Sequence, residues 1–439
     1  SWLRCRPELR WITFANLYFL KRYKNRSFIG LPGRFFLFLS PIVFIMITIS
    51  IKKSNFIIFL PRVMLILRPF QPKIPGMNFV KLRIHKIQLE TADTVSVLFD
   101  LPNEVKNQFD FTPGQYLTLK DEVNGTEVRR AYSISTAPHD ALIGVTIKRI
   151  PGGRLSTFIH SNWKVDDVVE VAPPEGNFVL TTDHDKKRTV CFIAAGSGIT
   201  PIVSMIKTLL ENEPMSKAIL LYGSRNEENI IFKDTLDALA KKYEGQLNIV
   251  HTLSAPMKEK EPGLIGIFKK SKTSWKGETG RISKEKLERF FKDHIGADSA
   301  KIVYYLCGPG DMISNAEKVL EKHGVDKLRI HREFFSTPAE KVNPVTGSAA
   351  MVKVHLNGEI IEMNIDGKKP ILDELIARKK NPPYSCTSGA CSSCMAKTLE
   401  GEVKMESCYA LDEEDLKKGL ILTCQAKPVT SVVEITYDV

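Results

Sequence analysis

Four cysteines near the C-terminus carry the most specific chemical signal in this chain. Cys386, Cys391 and Cys394 follow the spacing C-x4-C-x2-C, and Cys424 lies beyond the 29 residues 395–423. Three thiolates from one tight loop and a fourth from a distant return strand form the ligand pattern of a plant-type [2Fe–2S] cluster. The residues between them (Thr387, Ser388, Gly389, Ala390, Ser392 and Ser393) are small. They let backbone N–H groups approach the sulfurs and tune the potential. A zinc site and plain buried cysteines are the competing readings. Zinc favours paired C-x2-C knuckles, and only one C-x2-C is present.

Iron of this kind takes one electron at a time, so the rest of the chain must deliver electrons. At 439 residues there is room for about three domains. The net charge of +12 suggests nucleic acid or a membrane surface, but its location argues otherwise. Residues 1–76 hold 13 Lys and Arg against one acid, Glu8, which leaves 62 − 13 = 49 basic and 50 − 1 = 49 acidic residues beyond them. The globular part is formally neutral and has no basic footprint for nucleic acid. Cys5, Cys191, Cys307 and Cys408 are scattered without a disulfide-framework spacing, which fits a reducing, cytoplasmic compartment.

Residues 1–76 are rich in Phe, Ile, Leu, Lys and Arg, and the 17 residues Phe35–Ile51 carry no charge. That is the short limit for a membrane span. One reading is an N-terminal anchor, which leaves membrane association open. The other is a non-native extension, because the chain starts at Ser1 and Met77 directly precedes the first strand-like segment. Residues 77–182 alternate with period two and are punctuated by Pro113-Gly114 and Asn124-Gly125, which predicts a small antiparallel β-barrel. Residues 186–335 alternate apolar strands with helical stretches, which predicts an α/β parallel sheet. The Lys-, Gly- and Pro-rich stretch Ser254–Gly280 reads as a surface loop. Residues 336–348 read as a linker and residues 349–439 as the cluster domain, with a hairpin at Asn357-Gly358 and a helix near Ile371–Arg378.

Upstream motifs supply the electron carriers. The barrel contains Arg130-Ala131-Tyr132-Ser133-Ile134, and Gly152-Gly153-Arg154-Leu155-Ser156 follows a strand and opens a helix. A guanidinium suits a phosphate, a phenol suits a flat ring, and glycines at a helix start expose N–H groups to an anion. Gly196-Ser197-Gly198-Ile199-Thr200-Pro201 joins a strand to a helix as G-x-G-x-x-P rather than the dinucleotide fingerprint G-x-G-x-x-G. Cys307-Gly308-Pro309 ends another strand of that sheet. Ser224-Arg225 closes the second strand, where a Ser-Arg pair offers donors to a 2′-phosphate and an acid would instead bind a ribose. Read without a family, these are also compatible with a core tyrosine, an ordinary capped helix, a buried small thiol and a solvated arginine.

Taken together, the motifs resemble the ferredoxin–NADP reductase superfamily. That resemblance implies that Arg130 pairs with flavin phosphate, Tyr132 stacks on the isoalloxazine and Ser133 hydrogen-bonds near N5, beside Ile134. It implies that Gly152, Gly153, Leu155 and Ser156 hold the flavin pyrophosphate, and so FAD rather than FMN. Gly196, Gly198, Thr200, Pro201, Cys307, Gly308 and Pro309 would face NADPH or NADH, with Ser224 and Arg225 favouring NADPH and Phe335 shielding the flavin edge. Tyr132, Ser133, Thr200 and Cys307 would line the hydride path. The domain order resembles reductase components of bacterial oxygenases of the phenylacetyl-CoA epoxidase type. The expectation is a multidomain NAD(P)H:acceptor oxidoreductase: a flavin β-barrel, an α/β nucleotide lobe and a β-grasp ferredoxin domain. Electrons would go from FAD to the cluster and on to a separate oxygenase or desaturase. Alternatives are a membrane-associated reductase for a desaturase or quinone, and a non-enzymatic iron–sulfur sensor.

Overall fold

The computed structural model describes residues 77–258, 273–335 and 345–439. The expectations for residues 1–76, including the apolar run Phe35–Ile51, lie outside them, as does most of the expected linker. Among the described residues, no helix is long and apolar enough to cross a membrane.

Period-two segments build the first sheet. Its strands are β1 (Val80–Thr91), β2 (Thr94–Asp100), β3 (Tyr116–Val123), β4 (Thr126–Ser133), β5 (Ile143–Lys148) and β6 (Val168–Val171), in the order β4-β3-β6-β1-β2-β5. A bridge between Ile134 and Val145 brings the end of β4 against β5 and closes the sheet on itself. The hairpin between β3 and β4 turns through Asn124 (φ 53°) and Gly125 (φ 71°), the left-handed pair that matches strand twist. Inward residues such as Leu82, Val97, Leu117 and Ile147 fill the barrel, and α1 (Arg154–Asn162) adds Leu155 and Ile159 to that core.

The second sheet is parallel. It contains β7 (Thr189–Ala195), β8 (Lys217–Ser224), β9 (Leu247–Leu253), β10 (Glu278–Thr279), β11 (Val303–Gly308) and β12 (Ile330–Phe334), ordered β10-β9-β8-β7-β11-β12. Helices α2 (Ile199–Asn212), α3 (Lys233–Lys242), α4 (Lys284–Phe290) and α5 (Gly310–Lys322) run between the strands. Strand β7 is apolar from Val190 to Ala195 because both its faces are covered. Val190, Phe192 and Ala194 enter one core cluster, while Cys191 and Ile193 enter another. The chain order reverses between β7 and β11, so their carboxyl ends open the crevice where ligands of such sheets bind. Part of the stretch expected to be a surface loop is built into the lobe. Trp275 packs against its core, and Glu278–Thr279 pairs with β9 as an edge strand.

The third unit has a five-stranded sheet, β14-β13-β19-β15-β17, and a two-stranded one, β16-β18. The elements are β13 (Ala350–Leu356), β14 (Glu359–Ile365), α6 (Ile371–Ala377), β15 (Met395–Glu400), β16 (Val403–Met405), α7 (Glu413–Lys417), β17 (Leu420–Leu422), β18 (Ala426–Pro428) and β19 (Val432–Thr436). The hairpin at Asn357-Gly358 again has two positive φ angles, 60° and 74°. Helix α6 packs Ile371 and Leu375 on the sheet, in the β-grasp arrangement. The cysteine loop lies between α6 and β15, and Cys424 follows β17, which is the antiparallel partner of β15.

Candidate redox centre

One cavity of about 310 Å³ collects residues from all three units. Strand β4 supplies Arg130, Tyr132 and Ser133, and the start of α1 supplies Gly153, Leu155 and Ser156. The turn after β7 supplies Ser197 and Thr200, and the end of β12 supplies Glu333 and Phe335. The far wall is the cysteine loop, with Cys386 and Cys391.

Local geometry explains why these side chains point there. The end of β4 runs along the cavity, and Arg130, Ala131 and Tyr132 are half-buried there. Arg130 Nη1 donates to Arg129 O at 2.7 Å, and burial raises the Tyr132 phenol above its ordinary range. Ile134 departs from the expected set, since its side chain is fully buried in the barrel core rather than at the cavity. Gly153 caps α1, and a Cβ there would lie 2.5 Å from Ser156 Oγ and 2.9 Å from Ile150 O. Gly152 has φ +73° in open space and does not line the cavity.

At the sheet crevice, Gly196–Gly198 form a 3-10 turn that runs directly into α2. A Cβ on Gly198 would lie 2.1 Å from Cys307 O, so only glycine permits this approach of the two strand ends. Thr200 is buried and donates from Oγ1 to Ser197 O at 3.0 Å. Pro201 is buried in α2, and Pro309 is the exposed cap of α5. Gly308 takes φ +154° with Ala195 N 3.2 Å from its Cβ position. Cys307 is fully buried and off the cavity wall, and burial raises its thiol well above the ordinary value. Ser224 is buried at the end of β8, and Arg225 beside it is exposed.

Glu333 and Tyr116 are among the lining residues of this cavity that lie outside the expected site set. Glu333 is half-buried beside Ser133, whose Oγ donates to Glu333 Oε2 at 3.2 Å. Burial pushes this carboxyl up to about 8, and the Ser133 bond offsets only part of that. Its signal in the sequence was the run Glu333-Phe334-Phe335 that closes the lobe. Tyr116 also lines the cavity, and its hydroxyl meets Ser393 Oγ at 2.7 Å in the cysteine loop.

The four thiols converge. Cys386 meets Cys391 and Cys424, and Cys424 meets Cys394. Hydrogen bonds from the Cys391 and Cys424 thiols, with the Ser388 N–H, hold the Cys386 thiol far below its ordinary value. Cys391 N–H reaches Cys386 Sγ at 3.3 Å, Ser388 N–H reaches it at 3.4 Å, and Cys386 N–H reaches Cys391 Sγ at 3.4 Å. The loop achieves this with left-handed Thr387 (φ 57°) and Gly389 (φ 74°). Among the described residues, no group of three or more His, Cys, Asp or Glu could hold a single metal ion. A binuclear cluster divides four thiolates between two irons. Convergent thiols ringed by N–H donors fit that group.

Comparison with known proteins gives the family. Residues 81–180 match the oxidoreductase FAD-binding domain, 192–318 the oxidoreductase NAD-binding domain and 354–429 the 2Fe-2S iron-sulfur cluster binding domain. The chain is 33% identical over 375 residues to the ferredoxin reductase component of 3-ketosteroid-9-alpha-monooxygenase from Rhodococcus rhodochrous, covering 82% of this chain and 98% of that protein. It belongs to the ferredoxin reductase family. Identity and coverage are the same for a 1,2-phenylacetyl-CoA epoxidase subunit from Escherichia coli strain K12. The glycine betaine monooxygenase reductase subunit of Pseudomonas aeruginosa is 29% identical, covering 80% of this chain and 93% of that one. The crystal structure of an intact type IV self-sufficient cytochrome P450 monooxygenase shares the fold over 81% of this chain and 41% of its own, with a TM-score of 0.57 at 21% identity. This reductase is therefore an NAD(P)H oxidoreductase with FAD-binding, NAD-binding and [2Fe–2S] domains.

The ferredoxin domain of the reductase is docked on both other units. Besides Tyr116–Ser393, Arg129 Nη2 donates to Asn381 Oδ1 at 3.0 Å, and its guanidinium lies 4.4 Å from the centre of the Tyr384 ring. On the nucleotide lobe, the Phe334 and Tyr409 rings lie 4.9 Å apart. These contacts make the cysteine loop a wall of the shared cavity.

Proposed function

We propose that this reductase draws electron pairs from NAD(P)H and releases them singly to a separate oxygenase component of the phenylacetyl-CoA epoxidase kind. The observation that carries this reading is the shared cavity, where Arg130, Tyr132, Ser133, Thr200 and the Cys386–Cys391 loop are within one enclosure. When bound, the nicotinamide supplies hydride, FAD converts a pair into single electrons, and the cluster passes single electrons. The chain positions these groups and tunes them. Arg130 offers a phosphate contact, Tyr132 a flat apolar face, and Ser133 a hydroxyl tied to Glu333. The cap at Gly153 and Ser156 presents N–H groups to the pyrophosphate. Gly196 and Gly198 open room for the nucleotide beside Thr200. Phe335 covers the cavity rim, and Cys307 acts through its backbone and packing rather than as a nucleophile. Cys386, Cys391, Cys394 and Cys424 hold iron. The domain limits that go with this reading are 77–182, 186–335 and 349–439, with 336–348 as linker.

NADPH is the preferred reductant on the strength of Arg225, an exposed residue directly after the carboxyl end of β8, where a 2′-phosphate would lie. The dependence on reduced nicotinamide and the scattered thiols support a cytoplasmic catalytic part. Anaerobic addition of NADPH should bleach the flavin band and then the cluster absorbance. Steady-state assays should show turnover with ferricyanide and cytochrome c. Arg225→Ala should raise KM for NADPH about tenfold, the low end for one charged hydrogen bond, and leave KM for NADH in place. An unaltered preference removes the phosphate contact, and a colourless holo-preparation removes the whole reading.

A further inference from the structure

We infer that Glu175 is a positioning and tuning residue for the cluster. It acts across the domain boundary through Ser393, so that the cluster potential depends on ferredoxin docking.

The barrel presents Glu175 and Tyr116 as a pair. Tyr116 N–H donates to Glu175 O at 2.8 Å, and Glu175 N–H donates back to Tyr116 O at 3.0 Å. Gly176 follows with φ +114°, and a Cβ there would lie 2.9 Å from the Tyr116 ring, so glycine is what lets the ring lie across the chain. Both side chains converge on one hydroxyl. Tyr116 Oη lies 2.7 Å from Ser393 Oγ, and Ser393 Oγ donates to Glu175 Oε2 at 3.1 Å. The same Ser393 Oγ is 3.6 Å from Cys391 Sγ.

Proton counting gives this chain a direction. A serine hydroxyl carries one proton. With that proton donated to Glu175, Ser393 takes its incoming bond from Tyr116 and has none left for the sulfur. An iron-bound Cys391 is a thiolate and has no proton of its own to give. The sulfur therefore loses a possible donor and has a carboxylate one hydroxyl away. Both effects oppose the negative charge that an added electron brings, and both lower the potential. Release of the ferredoxin domain from the barrel removes Tyr116 and Glu175 together and frees the Ser393 proton for Cys391. The docked cluster is the weaker electron acceptor, and the released cluster retains its electron more strongly.

This rests on the four cysteines holding the cluster in the proposed reductase, and the test separates the two claims. Holoenzyme is titrated electrochemically, with the reduced cluster followed by electron paramagnetic resonance. Glu175→Gln, which removes the charge and keeps the shape, should shift the flavin–cluster electron equilibrium towards the cluster by about tenfold, equal to 59 mV for a one-electron couple. Glu175→Asp keeps the charge and should stay near the wild type. Ser393→Ala should change the resonance of the reduced cluster. Flavin bleaching by NADPH should be unchanged in Glu175→Gln. An unmoved midpoint in Glu175→Gln overturns the inference, as does an equal shift in the Gln and Asp variants, since that would trace the effect to packing. Wild-type protein without iron and acid-labile sulfide overturns the proposed function as well.

Discussion

The seam between β7 and β11 and the loop between α6 and β15 both bury cysteines, in opposite surroundings for the sulfur. Cys191 and Cys307 sit among apolar side chains, and burial raises both because nothing nearby stabilises the charged form. Cys386 is only partly buried, and the N–H groups of Ser388 and Cys391 both point at its sulfur. The difference teaches that what surrounds a sulfur decides its use: apolar side chains in the sheet, backbone N–H donors in the loop. A cysteine in a parallel sheet finds every backbone donor committed to the ladder. A cysteine in a loop of small residues finds them free to turn towards sulfur. The first region is a wall and the second a ligand set.

That contrast can be broken by mutation. The largest effect is expected from Cys386→Ser, which should abolish bound iron and acid-labile sulfide while FAD stays bound, as read by metal analysis and the visible spectrum. Next is Gly198→Ala. Its Cβ meets backbone at Cys307 rather than a movable side chain, so it should cost about 3 kcal/mol in chemical denaturation and weaken nucleotide binding.

A third, pH-dependent effect belongs to Glu333, whose carboxyl rises from 4.5 to about 8 in the folded protein. A raised acid favours the folded state while protonated. Its contribution is full below pH 4.5 and falls as pH rises towards 8. Denaturation of Glu333→Gln at a series of pH values should lack that decline relative to the wild type. A parallel decline in both proteins would show that Glu333 is ionised throughout. The smallest effect is expected from Cys307→Ala, about 1 kcal/mol of stability with iron content unchanged. Loss of nicotinamide oxidation with full cofactor loading would instead move Cys307 out of the wall and into the chemistry.

Much of the site was legible from spacing because its parts are local. Arg130, Tyr132 and Ser133 share one strand, Gly153 and Ser156 one helix start, and three cysteines one loop. The hairpins at Asn124-Gly125 and Asn357-Gly358 followed from the same local logic, since only such residues take two positive φ angles cheaply. Ile134 lies one residue past β4, where the chain bridges to Val145, and its side chain turns into the barrel core, which a motif read as a run does not show. Trp275 and β10 were missed because a polar, Gly- and Pro-rich stretch hides a short pairing segment.

The sequence by itself determined the three units and their cofactors, and it named several of the residues that line the shared cavity. These depend on period, spacing and turn chemistry within a few residues. Tertiary structure alone decided that the units share one cavity. It joined Ser133 to Glu333 across 200 positions and Tyr116 to Ser393 across 277. Hydrogen bonds at such separations leave no periodic trace in the chain. They exist only once burial has removed competing water and docking has brought the two surfaces together.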